Sequence, residues 1–161
     1  MTTLSGPEAQ QVGFTVKSRL RDFIANALRG EYNSRYRAFG GVDVVLVQQV
    51  EEETPNGKPL LSIRTIERDR SSYGDGTRHD FQIEARIVTD SASGGLEADA
   101  SIPALGEALS DDLDELLTTD GVEATLEALG IHNLAIGKRR EQSIEGVHTN
   151  RHTITCTAVT D

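Results

Sequence analysis

The segment GVHTNRHTITC, residues 146–156, sets His148, His152 and Cys156 at four-residue intervals. All three are side-chain types that ligate zinc. On a helix, histidines four apart are neighbours on one face and could share an ion. Here, however, Thr149, Thr153, Ile154, Thr155, Thr157 and Val159 are β-branched, which lowers helix propensity and suits a strand. On a strand rising about 3.3 Å per residue the three side chains share a face, but successive ones stand about 13 Å apart. Zinc bonds of about 2.0–2.3 Å cannot span that gap, so no metal site is expected. The segment instead predicts a C-terminal strand with His152, Ile154, Cys156 and Ala158 on one side and Cys156 packed as a small side chain.

Other chemistry finds little support. Neither Gly-x-Ser-x-Gly nor Gly-x-x-x-x-Gly-Lys-Ser/Thr occurs, and Ser91-Ala92-Ser93-Gly94-Gly95 reads as a flexible turn. A thiol nucleophile at Cys156, with His132, His148 or His152 as base, would need an exposed electropositive setting that a mid-strand position does not supply. A magnesium-dependent nuclease would combine Asp43 with a Glu-x-Lys on a neighbouring strand, but Glu67-Arg68-Asp69 lacks the lysine. The expectation is therefore a protein that is not an enzyme, with no catalytic residue, no metal and no cofactor.

The 161 residues suit a single α+β domain, 1–161, and 37% apolar content suffices for one core. One Cys excludes an internal disulfide. No stretch approaches the roughly 18 apolar residues of a membrane span, and MTTLSGPEAQQ lacks a basic start followed by an apolar run. The chain is thus expected to be neither membrane-embedded nor secreted by a standard signal. The net charge of −10, from 26 acidic and 16 basic residues, argues against a nucleic-acid-binding surface. Thirteen of those basic residues are arginine, a skew that bears on origin and solubility more than on fold.

The elements follow from periodicity. Val12, Val16, Leu20, Phe23, Ile24, Ala27 and Leu28 mark one amphipathic helix over residues 7–29, capped by Ser5 with Glu8 and stopped at Gly30. Tyr32, Tyr36 and Phe39 are expected to pack over its end. Residues 42–50 and 60–68 predict an antiparallel hairpin turning at Pro55-Asn56-Gly57. Residues 69–78 predict an exposed loop. Phe81, Ile83, Ala85 and Ile87 alternate with Asp80, Gln82, Glu84 and Arg86, the pattern of a sheet covered on one face. Residues 91–101 read as a linker. A second helix is expected from Ile102, with Ser101 as cap, Leu105, Leu109, Leu113, Leu116 and Leu117 inward, and the acidic residues 111–115 solvated. A third covers residues 122–129, and two last strands flank a basic turn at Lys138-Arg139-Arg140. The order α-β-β-β-α-α-β-β gives an α+β fold with a mostly antiparallel sheet of about five strands and helices on one face.

Arginine and tyrosine are favoured at protein interfaces. They concentrate in residues 68–78 and 138–140, so Arg68, Arg70, Tyr73, Arg78, Lys138, Arg139 and Arg140 are the interface candidates. Acidic stretches at residues 51–53 and 111–115 could meet them in a head-to-tail ring. On this reading, reversing Arg139 and Arg140 weakens assembly and leaves the fold intact.

From RHDFQIEARIVTD through IPALGEALSDDLDELL and GVEATLEALG to HTITCTAVTD, the pattern resembles the tail terminator proteins of long-tailed phages and related archaeal viruses. The resemblance implies a structural virion protein of the tail or neck, assembled in the host cytoplasm. Six copies would form a ring that caps the tail tube, ends its polymerisation and joins the head connector, with DNA passing through the lumen without sequence-specific contact. Other expectations are a different neck or head–tail connector component, or a small cytoplasmic ligand-binding domain or enzyme.

Overall fold

The computed structural model describes residues 1–30, 45–46, 60–90 and 98–161. In chain order the elements are β1 (Thr3–Leu4), α1 (Gly6–Gln10), α2 (Val12–Arg29), β2 (Val45–Leu46), β3 (Leu60–Tyr73), β4 (Gly76–Asp90), α3 (Ala98–Thr118), α4 (Val122–Ala128), β5 (His132–Ile144) and β6 (Val147–Thr160). The four long strands form an antiparallel series β3-β4-β6-β5. The short strands β1 and β2 add in parallel to β6 and β3, so the sheet is mixed and six-stranded where a mostly antiparallel sheet of about five was expected. A two-residue strand carries no periodicity, which is why β1 has no sequence signal.

The β4–β6 ladder runs from Thr77 opposite Thr160 to Asp90 opposite Val147. Its inner face carries Phe81, Ile83, Ala85 and Ile87 from β4 and His152, Ile154, Cys156 and Ala158 from β6, all buried, as the alternation of both segments predicts. Val12, Val16, Leu20, Ile24 and Leu28 of α2 and Leu105, Leu109, Leu113, Leu116 and Leu117 of α3 close over that face. Arg19 ties the helical layer together, donating from Nη1 to the Leu129 carbonyl at 2.6 Å and pairing with Glu8.

Several expectations are corrected. The single first helix is two, broken at Gln11 (φ −119°, ψ 43°), Ser5 occupies the cap position without a side-chain hydrogen bond, and the Glu8 carboxylate that would complete a capping box pairs with Arg19 instead. α3 starts four residues before Ile102, which places Ser101 inside the helix. The described part of the expected first hairpin, Val45–Leu46, pairs with β3 in parallel. Tyr32, Tyr36, Phe39, the 55–57 turn and residues 51–53 lie outside the described residues.

The partner that β3 meets across a tight turn is β4, so residues 69–78 form a hairpin end and not a loop. Tyr73 opposes Gly76, and Gly74 takes φ +57° at the first turn position, where a two-residue turn of type II′ wants glycine. Hydrogen-bond pairing across both strands thus organises a segment whose polar side chains remain exposed. The last hairpin likewise turns at Glu145-Gly146 (φ +50° and +77°), the double positive φ of a type I′ turn, and Lys138-Arg139-Arg140 lie within β5. Charge and polarity suggested turns at both places, but backbone chirality decided them.

Gly106 permits the closest approach of α3 to the sheet: a Cβ there would stand 2.5 Å from His148 Cδ2 and 3.2 Å from Thr89 Oγ1. Gly106→Ala is expected to cost roughly 1–3 kcal/mol in urea unfolding, by overpacking. An unchanged midpoint would mean that α3 sits farther from β6.

Candidate functional site

All four histidines of the chain are buried, and each has its own hydrogen-bond partner. His79 Nε2 meets Thr160 Oγ1 at 3.0 Å, and His132 Nε2 meets the Thr2 carbonyl oxygen at 2.8 Å. His148 Nδ1 meets Ser143 Oγ at 2.6 Å, and His152 Nδ1 meets Asp114 Oδ1 at 3.0 Å. β6 holds His148, His152 and Cys156 on one face but opposite Thr89, Ala85 and Phe81 respectively, as the extended-strand reading requires. Among the described residues, no three His, Cys, Asp or Glu gather where they could hold a metal ion. Burial pushes the Cys156 thiol up to about 12, so little thiolate is present near neutral pH.

The acidic run of α3 is only partly a solvated face. Asp112 is buried, while Asp111 and Asp114 accept from Arg139 Nη1 at 2.6 and 3.3 Å. Arg139 Nη2 reaches Glu141 at 3.0 Å. Asp114 also accepts the His152 Nδ1 hydrogen, which leaves the buried Nε2 without a partner. This cluster fastens the second half of α3 to β5 and β6. Burial opposes the Arg139 charge, and the surrounding carboxylates more than offset it, so its pKa is raised. For His152, burial outweighs Asp114 and holds the pKa below the ordinary value.

The seven interface candidates therefore separate. Arg139 turns inward as a clamp, whereas Lys138 and Arg140 are exposed. Arg68 lies over the Phe81 ring, 5.6 Å from its centroid, and Arg70 opposes His79. Arg78 Nε donates to Asp80 at 3.0 Å, and Asp80 also accepts from Thr157 Oγ1 at 2.7 Å; the Thr157 bond foremost holds the Asp80 carboxyl below its ordinary value. Tyr73 stands 46% exposed beside the β3–β4 turn. Arg86 and Arg78 mark the sheet levels of the two groups, and they lie eight residues apart along β4. At about 3.3 Å per residue the levels of Arg78 and Arg140 are roughly 25 Å apart, whereas Arg68, opposite Phe81, lies five residues from the level of Arg140.

What the fold does assemble is a basic groove on the sheet face opposite α2 and α3. Lys138 and Arg140 of β5 stand beside Arg151 and Thr153 of β6, Glu84 of β4 and Ile66 of β3, around a hollow of about 360 Å³. Arg64 Nε lies 3.2 Å from Glu84 Oε1 and neutralises it. Arg151 was not singled out by charge clustering, because its basic neighbours come from other strands. Its alternation with the inward His152 was the available signal.

No family model matches this chain, and neither does any curated protein. Among solved structures it shares its fold with a chain from the virion of a native gene transfer agent particle, at a TM-score of 0.50 and 11% identity. The similarity covers 84% of this chain and 92% of the other. Among the described residues, no helix is long and apolar enough to cross a membrane.

Arg139→Ala is expected to lower stability by about 1 kcal/mol in urea unfolding, against less than about 0.5 kcal/mol for Lys138→Ala. Because Arg139 pairs with Asp111, Asp114 and Glu141, its reversal is expected to weaken the fold as well as any interface it serves. Acid is expected to weaken the fold through two histidines. For His79, burial first and then Arg68 and Arg70 lower the pKa, as burial does for His152. The unfolded chain then takes up protons near the ordinary value of 6.5 that the folded chain refuses. Their contribution to stability is complete above that pH and is lost as pH falls through the lower folded-state values. His152→Asn should make the decline in urea midpoint between about pH 7 and 5 shallower; an unaltered slope would remove His152 from this account.

Proposed function

We propose that this chain is a structural virion protein that caps the tail tube as a six-fold ring, ending tail polymerisation and forming the joint to the head connector. What carries the reading is the fold shared across 84% of the chain with a component of a gene transfer agent virion. The helix, strand and closing-hairpin order that resembles tail terminators supports the finer role. Capping of this kind needs no catalytic residue: occupied interfaces at the tube end exclude the next tube subunit. The partners are further copies of the same chain, the tail tube protein and the head–tail connector, with DNA crossing the lumen. A chain of net charge −10 suits such passage, since a surface that repels phosphate does not retain it. The work is done as one domain, assembled in the host cytoplasm and retained in the virion.

Incubation with purified tail tubes tests the proposal. Electron microscopy should show the protein at one end of each tube, and added tube subunits should no longer extend that end. Binding along the tube wall, or unchanged elongation, would overturn it.

A further inference from the structure

Lys138, Arg140 and Arg151 bring three cations together on a sheet face, and among the described residues none of them has an ion-pair partner. Arg151 Nε is buried and lacks an acceptor among the described residues. Ile66 stands 48% exposed in the same groove. Like charges held this close repel one another, and a half-buried guanidinium without an acceptor loses hydration with no return. Among the described residues the one acid of the groove, Glu84, is already paired with Arg64, and an acidic surface with little side-chain bulk would supply the missing counter-charge.

The chain carries such a surface itself. In α4, Leu126 is buried, whereas Glu123, Ala124, Thr125, Glu127 and Ala128 are exposed. Glu123 and Glu127 are one helical turn apart, a spacing at which like charges destabilise a helix, and neither has a partner among the described residues. Ala124 and Ala128 lie one turn apart beside them and leave room for close approach. The acids of α3 are less available: Asp111 and Asp114 are held by Arg139, and Glu115 has a partner within the chain. α4 packs on the helix-covered side of the sheet near β5, and the groove opens on the other side. One copy cannot bring its own α4 into its own groove.

We infer that the sheet face opposite α2 and α3 in one copy takes α4 of a second copy, with Glu123 and Glu127 against Lys138, Arg140 and Arg151, and Ala124 and Ala128 over Ile66. The two surfaces are different patches of the same chain, so the contact is heterologous and propagates head to tail until rotation closes a ring. The neighbour's helix also covers the sheet face that, among the described residues, this chain's helices do not cover. This contact rests on the ring reading proposed above and gives it a physical joint.

Charge exchange tests it by sedimentation velocity and native mass spectrometry. One variant carries Lys138→Glu and Arg140→Glu, the other Glu123→Lys and Glu127→Lys. All four side chains are exposed, so circular dichroism and unfolding midpoints should match the wild type. The wild-type chain is expected to form closed oligomers that loosen as salt is raised, and each variant alone to associate at least about tenfold more weakly. An equimolar mixture should restore the oligomer with the variants alternating, because both kinds of contact are then attractive. A wild-type chain that stays monomeric, variants that assemble normally, or a mixture that fails to recover would each overturn the inference. So would an intact oligomer whose groove variant has lost binding to duplex DNA, which would assign the groove to phosphate. If charge exchange fails but tubes are still capped, the tail role stands without this joint. If exchange succeeds and tubes are not capped, the joint stands without the role.

Discussion

The register between β4 and β6 is the constraint on which the other contacts depend. Pairing Ile83 with Ile154 sends Phe81, Ala85, Ile87, His152, Cys156 and Ala158 to the same side and Glu84, Arg86, Arg151 and Thr153 to the other. A slip of one residue would reverse every one of them. The apolar majority therefore dictates where the polar minority goes. Asn150 is wholly buried and, among the described residues, neither end of its amide is paired, nor is one ring nitrogen each of His148 and His152. A buried polar group without a partner costs about 1–3 kcal/mol. These side chains stay inside because moving them out would expose Ile154, Cys156 and Ala158.

Two irregularities in the pairing then decide which cations hold the fold and which face solvent. Between Ile136 and Arg139, β5 advances three residues while β6 moves two, from Ile154 to His152. Without that extra residue Lys138 would face α3 and Arg139 would point away. With it, Arg139 meets Asp111 and Asp114, and Lys138 and Arg140 stand in the groove. The bulge between Thr65 and Glu67 does the same on β3, bringing Arg68 opposite Phe81 and over its ring. Bulges at sheet edges re-aim side chains without interrupting the strand. In this molecule they sort a run of similar charges into structural and external ones.

The division bears on assembly. An antiparallel sheet with helices on one side leaves a second face to solvent or to a neighbour. Here that face is charged and grooved, not broadly apolar, which favours reversible, oriented association over collapse into an aggregate.

The sequence by itself determined the local matters: strand β6, the inward sets of β4, α2 and α3, the burial of Cys156, and the spread of His148, His152 and Cys156 along one strand face. These follow from side-chain period and β-branching, which act over a few residues and need no knowledge of neighbours. Only the tertiary structure decided the path of the hairpins, the parallel edges, the inward turn of Arg139 and the grouping of Lys138, Arg140 and Arg151 across two strands. Positive φ at Gly74 and Glu145-Gly146 placed turns where polarity had not, and one inserted residue in β5 reversed the facing of three consecutive basic side chains. Period and composition describe each strand alone, whereas a bulge or a register exists only between strands.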